Sequence, residues 1–212
     1  MAASTAIVLC GGDHSDAPTS VDVPAGAYVV AADSGLHLAA RLGLAADLVV
    51  GDFDSVDAGA LDAAVTAGTR AEQHPAAKDA TDLELAIDAA IAHGASRVLV
   101  VGGTGGRLDH FLGVLFLLAS PAYADIAVEA RLGSASVQVT HGRTVAIHGA
   151  PGDIVTLLPV NGGARGIVTD GLEYPLRNED LAPGTSRGVS NVLLDTDATV
   201  TLASGTLLVV QP

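Results

Sequence analysis

The pattern of apolar residues changes near residue 125, and this change limits the folds open to the chain. Before it, short apolar runs alternate with helical patterns, whereas after it helical periodicity disappears and Val/Thr/Leu-rich runs are punctuated by Gly and Asn. The first pattern is typical of an α/β layer with a largely parallel sheet. We therefore predict an α/β fold: an N-terminal three-layer α/β/α domain (residues 1–125), then a C-terminal all-β sandwich domain (residues 126–212).

The same patterns predict individual elements. In the first domain, strands are expected at 6–10, 28–32, 47–51, 71–73 and 97–101. In the second domain, they are expected at 136–140, 144–148, 154–159, 191–194 and 206–210, with a turn at 161–163. Parallel sheets bind ligands beyond the carboxyl ends of their strands. Residues that follow the first five strands are therefore the candidates for a site.

Two aspartates follow the third of these strands, in Gly51-Asp52-Phe53-Asp54-Ser55. Side chains two residues apart in an extended chain point to the same side, so Asp52 and Asp54 would project together. Two close carboxylates repel each other unless a cation or a shared proton lies between them. A hard divalent metal suits such oxygen ligands. The alternative is a polar turn in which Asp54 and Ser55 cap the next helix.

A second motif, Lys78-Asp79-Ala80-Thr81-Asp82-Leu83-Glu84, leads into a helix. A capping box of Thr81 and Glu84 explains part of it, and Asp82 suits the helix dipole. Lys78 is the only lysine in the chain, and capping does not explain it. It fits either phosphate binding at the helix N-terminus or an exposed salt bridge of little energetic value.

A third motif, Gly102-Gly103-Thr104-Gly105-Gly106-Arg107-Leu108-Asp109-His110, follows the strand 97–101. Its glycines let backbone amides approach a ligand, and the planar guanidinium of Arg107 suits phosphate oxygens. It matches neither a Walker A loop nor a dinucleotide fingerprint. The alternative is a strand–helix turn with Asp109 as N-cap and His110 as an ordinary hydrogen-bonded histidine. Asp33 ends another strand, where helix capping explains it unless the other motifs meet it.

Together these motifs resemble those of the thiamin pyrophosphokinase family. The family carries, in this order, Asp-Gly-Gly, Gly-Asp-x-Asp-Ser, Lys/Gln-Asp-x-Thr-Asp and Gly-Gly-Arg-x-Asp-His segments. The similar segments here are 33–35, 51–55, 78–82 and 105–110, and segments 171–176 and 188–191 are similar to later family signatures. Two departures are Ser34, where glycine is usual, and Leu36-His37, where a small residue and Asn are common.

The resemblance implies transfer of the pyrophosphoryl group of ATP to the hydroxyl of thiamin, giving thiamin diphosphate and AMP. The catalytic residues would then be Asp52, Asp54, Asp82, Arg107 and Asp109, with Mg²⁺ held by Asp52, Asp54 and Asp82. ATP would bind at Asp33, Lys78, Asp79, Thr81 and Arg107, and thiamin at Tyr174, Ser190 and Asn191. The group that accepts the hydroxyl proton stays open between Asp33, Asp79 and metal activation alone.

Composition agrees with such an enzyme without identifying it. The net charge of −14 argues against a nucleic-acid surface, although a nucleotide can bind where a metal bridges carboxylates to phosphates. Cys10 is the only cysteine, so an intrachain disulfide is excluded. No apolar run approaches the roughly 18 residues of a membrane span, and the first residues lack a basic region. We expect a cytoplasmic protein with no membrane partner.

Two other functions stay open at this point. One is the same transfer to a different hydroxymethyl heterocycle such as a pterin, because acceptor choice depends on pocket shape and hydrogen bonds. The other is a catalytically silent nucleotide-binding regulatory module on the same fold. The resemblance also implies a homodimer with composite active sites, in which the β-domain of one subunit completes the acceptor pocket of the other.

Overall fold

The computed structural model describes residues 4–212, which form two compact units. The first contains the chain up to Val114 together with Ala130–Ser134, and the second contains Leu115–Glu129 and Ala135–Pro212. Helices and parallel strands occur in the first unit, and the second is dominated by antiparallel strands. The mixed α/β character expected from the sequence is therefore confirmed. The three layers, the β-sandwich and the boundary at residue 125 stay predictions.

The first unit contains a sheet of five parallel strands. Their spatial order is β4-β3-β2-β1-β5, with bounds β1 Thr5–Leu9, β2 Tyr28–Ala32, β3 Leu48–Gly51, β4 Arg70–Gln73 and β5 Arg97–Gly102. The register aligns Leu9 with both Ala31 and Val101, so these strands end at the same level. All five predicted strands of this half are confirmed within one or two residues. Loops from several strands therefore meet at one edge.

Four α-helices occur among the described residues: α1 Gly35–Leu42, α2 Ala58–Thr66, α3 Asp82–Ala92 and α4 Leu108–Leu118. The Thr81 hydroxyl accepts a hydrogen bond of 3.2 Å from the Glu84 amide, which starts α3 as its sequence predicts. For α2 the capping residue is Asp57, whose carboxylate accepts from the Ala60 amide at 2.9 Å. The alternative interpretation, in which Asp54 and Ser55 cap this helix, is thus wrong. Asp109 lies inside the first turn of α4, so the alternative in which it is the N-cap is also wrong.

The remaining strands run from residue 127 onward. Their bounds are β6 Ala127–Leu132, β7 Ala135–Thr140, β8 Val145–His148, β9 Ile154–Asp170, β10 Arg177–Leu181, β11 Asn191–Val192, β12 Asp197–Thr201 and β13 Ser204–Gln211. Within the second unit the order is β7-β13-β9-β12-β8, and β10 and β11 also pair with β9. The long strand β9 is therefore the element on which most of this unit is assembled.

The turn predicted at 161–163 is wrong, because β9 continues through it. Asn161, Gly162 and Gly163 all have positive φ, and the register of β9 against β13 shifts there. Val160 pairs with Thr206, whereas Ala164 pairs with Gly205, so extra residues bulge from β9. The strands β6, β10 and β12 had no counterpart in the predictions.

Each unit has its own apolar core. In the first, Ile7, Leu9, Leu38 and Val49 pack in one cluster. In the second, a separate cluster lies along β9 and its neighbours and includes Leu157, Ile167 and Leu207. Complete burial of such a side chain stabilises the fold by about 1.5–3 kcal/mol. These clusters hold the strand ends in place, which the site requires.

Gly35 and Gly113 provide a matched test of helix packing against β1. A Cβ at Gly35 would lie 2.1 Å from the carbonyl oxygen of Leu9, whereas a Cβ at Gly113 in α4 meets nothing within 4 Å. We expect Gly35→Ala to lower the free energy of unfolding by about 2 kcal/mol or more, because the helix must shift. Gly113→Ala should raise it by about 0.5–1 kcal/mol. Urea denaturation of both variants checks the pair, and equal effects would contradict the packing.

Candidate active site

Three carboxylates meet where β2 and β3 end. The Asp33 amide donates to the Val50 carbonyl at 2.8 Å, which holds the residue after β2 against the last residues of β3. Gly51 makes this approach possible, since a Cβ there would lie 3.1 Å from the Cβ of Asp33. Asp33 and Phe53 have φ of 48° and 65°, an unfavourable conformation for residues other than glycine. Local backbone strain of this kind is common at functional sites.

Asp33, Asp52 and Asp54 each place one carboxylate oxygen within 4.8 Å of the others. Asp33 is buried, Asp52 is partly buried and Asp54 is exposed, so the group opens toward solvent on one side. The Asp54 amide donates to Asp52 Oδ1 at 3.1 Å, and the Ser55 hydroxyl donates to Asp54 Oδ1 at 2.8 Å. These two bonds fix the short segment that carries two of the three carboxylates.

The charge of Asp33 is compensated only in part, by a hydrogen bond from the Ser34 backbone amide. Burial raises the pKa of its carboxyl above the ordinary value, and the nearby Asp82, Asp52 and Asp54 carboxylates raise it further. Its Oδ1 atom is buried without a hydrogen-bond partner among the described residues. A bound cation would satisfy that oxygen and relieve the repulsion. The donor set, all carboxylate oxygens, therefore fits a hard divalent metal ion such as Mg²⁺.

Lys78 lies between two carboxylates beside this group. Its Nζ is 3.0 Å from Asp82 Oδ1 and 3.6 Å from Asp52 Oδ2, and it also donates to the Pro75 carbonyl. The hydrogen bond to Asp82 is the main reason that the pKa of Lys78 is raised. Asp82 therefore contacts the group through Lys78. The carboxylate that lies beside Asp52 and Asp54 is that of Asp33, whereas the resemblance implied Asp82. Thr81 caps α3, and Asp79 is exposed beside it.

Arg107 is paired within its own motif. Its Nε donates to Asp109 Oδ1 at 3.1 Å, and its terminal nitrogen donates to Asp109 Oδ2 at 2.5 Å. These hydrogen bonds lower the pKa of Asp109 to about 2. Both side chains are well exposed, so the pair can open at little cost. Asp109 thus holds the guanidinium in one orientation.

A carboxylate already occupies the glycine-rich loop 102–106. The Thr104 amide donates to Asp16 Oδ1 and Oδ2 at 3.0 and 3.1 Å, and the Thr104 hydroxyl also donates to Asp16. The Gly105 amide contributes a further bond, and together these bonds lower the pKa of Asp16. A Cβ at Gly103 would lie 2.3 Å from the Asp13 carbonyl oxygen and 2.5 Å from Asp16 Oδ1, so a glycine is needed where this loop meets the segment 13–16.

The predicted acceptor-binding residues lie in the second unit. Asn191 is buried, and its side-chain amide is used by the backbone: Oδ1 accepts from Tyr174 and Val192 at 3.0 and 2.9 Å, while Nδ2 donates to the Tyr174 carbonyl at 2.8 Å. The Tyr174 side chain is 61% exposed. Ser190 has a φ of 57°, and its amide donates to the Thr156 hydroxyl. Asn191 therefore fixes the backbone that carries the exposed ring of Tyr174.

Two features were missed from the sequence. Asp33 was interpreted as an ATP contact or a base, not as a neighbour of Asp52 and Asp54. Because β2 pairs with β3, knowledge of the strand order would have placed the residue after β2 next to Asp52. Asp16 gave no local signal at all, because its partner Thr104 is 88 residues away. The two departures in the first motif are structural here: the Ser34 hydroxyl accepts from the Gly12 amide, and His37 Nε2 accepts from the Asp57 amide.

Comparison with known proteins assigns this geometry to a family. Residues 24–130 match the catalytic domain of thiamin pyrophosphokinase, and residues 143–207 match the vitamin B1 binding domain of thiamin pyrophosphokinase. The chain belongs to the thiamin pyrophosphokinase family. This confirms the resemblance inferred from the four motifs, all of which lie within the first match.

Individual relatives agree with the family. The thiamine pyrophosphokinase of Bacillus subtilis strain 168 is 28% identical over 162 residues, covering 76% of both chains. Thiamine pyrophosphokinase 2 of Arabidopsis thaliana is 29% identical over 164 residues, covering 73% of this chain and 61% of the relative. These relatives are enzymes.

Solved structures show the same fold over nearly the whole length. The thiamine pyrophosphokinase structure from Bacillus subtilis aligns with a TM-score of 0.84 at 23% identity, covering 98% of each chain. A thiamin pyrophosphokinase family protein from Enterococcus faecalis aligns with a TM-score of 0.81 at 25% identity, with the same coverage.

None of the described helices is both long and apolar enough to cross a membrane.

The Asp33 carboxylate gives the first test of the site. In the absence of metal, Asp33→Asn should raise the melting temperature, because the variant removes a buried charge that faces other carboxylates. Added Mg²⁺ should raise the melting temperature of the wild type by mass action but have little effect on the variant. The exposed Asp62→Asn in α2 is the charge-matched control. An equal Mg²⁺ effect in Asp33→Asn and wild type would show that Asp33 does not contact the ion.

Proposed function

We propose that this protein transfers the pyrophosphoryl group of ATP to the hydroxyl of thiamin, producing thiamin diphosphate and AMP. The observation that carries the proposal is the succession of a catalytic-domain match and a vitamin B1 binding-domain match along one chain. The carboxylate group and Lys78 lie within the first match, and Tyr174 and Asn191 within the second. The comparisons favour neither transfer to a pterin nor a silent regulatory module.

In the proposed reaction the thiamin hydroxyl oxygen bonds to the β-phosphorus of ATP as the bond to the α-phosphate oxygen breaks. AMP leaves with that oxygen, and the hydroxyl proton goes to a base. A bound Mg²⁺, held by Asp52 and Asp54 with Asp33 or Asp82, would neutralise charge on the transferred phosphates. Asp33 is suited to accept the proton only if it does not bind metal, whereas Asp79 is exposed and free for that role in either case.

The two cationic side chains Lys78 and Arg107 are assigned to the phosphates of ATP. Lys78 can exchange an Asp82 oxygen for a phosphate oxygen, since both are anionic acceptors. Arg107 can do the same from Asp109, and its planar fork suits two phosphate oxygens. Thr81 is committed to capping α3 and acts by holding Asp82 at the start of the helix. These exchanges keep the cationic groups paired before and after ATP binds.

The acceptor site is assigned to Tyr174, Ser190 and Asn191. An exposed aromatic ring offers thiamin a flat apolar surface, and Tyr174 is one of only three tyrosines in the chain. Ser190, next to Asn191, contributes a hydroxyl from the segment that precedes β11. The hydrogen bonds from Asn191 to the Tyr174 backbone favour an indirect role for this residue: it sets the position of the ring.

A homodimer with composite sites completes the proposal, in a cytoplasmic setting. Helix α4 supports it, because Leu108, Leu112 and Phe116 follow one another at four-residue spacing and are 71%, 43% and 60% exposed. An apolar stripe of this kind is unusual on a helix that faces water. A second copy of the chain is the simplest partner, since closed two-fold pairs are the commonest soluble assembly.

The activity test uses release of AMP from ATP and Mg²⁺. Wild type should release AMP with thiamin but not with a pterin alcohol. Asp52→Asn and Asp54→Asn should each lower turnover by at least about tenfold, because each removes a proposed metal ligand and its charge. Asp62→Asn, which removes a carboxylate from the exposed face of α2, should keep wild-type turnover. Wild-type activity in both site variants would contradict the metal assignment.

The composite site can be tested by mixing two inactive variants, Asp54→Asn and Tyr174→Ala. If the pocket is shared between chains, each mixed dimer contains one site with both wild-type halves. At equal mixing, about a quarter of all sites should then recover activity. Subunit exchange is verified first with two differently tagged wild-type samples. No recovery after proven exchange would show that each chain builds its own pocket.

A further inference from the structure

The loop that follows β1 crosses to the loop that follows β5. Strand β1 pairs with β2 on one side and with β5 on the other. The chain continues from β1 to β2, so the strand order reverses between β1 and β5. Such a reversal of strand order opens a crevice at the carboxyl ends, the usual ligand position in parallel sheets. Here the crevice is spanned by the bonds from Thr104 to Asp16. A side chain of the protein therefore occupies a place that a ligand commonly takes.

The contact has the chemistry of anion binding. Two neighbouring amides, those of Thr104 and Gly105, and the Thr104 hydroxyl all donate to one carboxylate. A concave set of backbone amides binds phosphate oxygens in the same way. Asp16 is exposed, so its side chain can turn into solvent without disturbing a core. Arg107, two residues after Gly105 in the chain, is itself assigned to phosphate.

We propose that the Asp16 carboxylate occupies the position of an ATP phosphate on the amides of Thr104 and Gly105, and that nucleotide binding requires its release. The inference rests on the proposed function, because it takes the nucleotide from that reaction. Asp16 then lowers the affinity for ATP, since only the fraction of molecules with a free loop can bind. In the unliganded protein it also keeps the glycine loop in one conformation.

The backbone of the Asp16 loop is expected to stay in place during this exchange. The Arg41 guanidinium donates to the carbonyls of His14 and Ala17, and the His14 ring is hydrogen-bonded to the Cys10 carbonyl. These contacts hold both sides of Asp16 independently of its carboxylate. Release is therefore a side-chain rotation, and substitution of Asp16 leaves the loop anchored.

Asp13 supplies a matched control within the same loop. It is exposed, and its carboxylate accepts from the Ser15 amide at 2.8 Å. Asp13→Asn and Asp16→Asn remove the same charge from nearly the same place. Only Asp16→Asn removes a carboxylate from the Thr104 and Gly105 amides. Both variants therefore share any general effect that the loss of one negative charge has on the affinity for an anionic ligand.

The first measurement is the dissociation constant of a non-hydrolysable ATP analogue with Mg²⁺, by calorimetry. Asp16→Asn should bind about fivefold more tightly than Asp13→Asn, because the competing carboxylate is gone. Asp16→Ala, which leaves both amides and the Thr104 hydroxyl in place but removes the side-chain acceptor, should show a gain in the same direction. It serves as a second variant if Asp16→Asn folds poorly. Equal affinities in the Asp13 and Asp16 variants, or weaker binding by Asp16→Asn, would overturn the inference.

The second measurement is hydrogen exchange of the segment 103–107. Without nucleotide, exchange should be faster in Asp16→Asn than in wild type, because the neutral amide oxygen of Asn is a weaker acceptor for the two amides than the carboxylate. Saturating analogue should restore slow exchange in the variant if phosphate takes the same amides. Exchange that stays fast with the analogue bound would overturn the shared position. If wild type neither binds the analogue nor releases AMP with thiamin, the proposed function itself fails, which is a different outcome from equal behaviour of the two loop variants.

Discussion

The close approach of Gly51 to Asp33 is the constraint on which the first-unit site depends. It brings the residue after β2 against the end of β3, so that a buried carboxylate faces two others across a short distance. With Asp82 included, four carboxylates lie close to one another, and Lys78 pairs with two of them, Asp52 and Asp82. Such a group is electrostatically unfavourable in the folded protein without a further cation. The parallel register and the apolar core of this unit therefore hold the Asp33 carboxyl close to three other carboxylates despite their repulsion.

The first half of the fold was predictable because its signals are local. Apolar strands such as 28–32 and 97–101 are mostly buried, and Thr81 with Glu84 marks the start of α3 within four residues. The second half was less predictable because its strands are defined by their partners. The polar segment Arg177–Leu181 is a strand only through its pairing with β9, and the glycines at 162–163 form a bulge where their composition indicates a turn.

The site shows the same division between local and long-range information. Asp52 and Asp54 were recognised together because they are two residues apart, and Lys78 with Asp82 because they are four apart. Asp33 joins them only through the pairing of β2 with β3, and Asp16 meets Thr104 only through the adjacency of β1 and β5. Asn191 is a further case: its residue type indicated a ligand contact, but its hydrogen bonds are made to the backbone of Tyr174.

A common physical reason connects these internal contacts. In a chain with a net charge of −14, the few donors able to bind phosphate lie among many carboxylates. Lys78 pairs with Asp82, Arg107 with Asp109, and the loop amides with Asp16. An anionic ligand then exchanges with carboxylates that are already bound, so only the difference between the two sets of hydrogen bonds contributes to affinity. A polyphosphate held by a metal ion competes well in such an exchange, because it presents several oxygens at once to donors that each carboxylate engages separately. A single carboxylate or a lone phosphate ion presents fewer oxygens to these donors, so the proposed exchange would favour a metal-bound nucleotide over either of them.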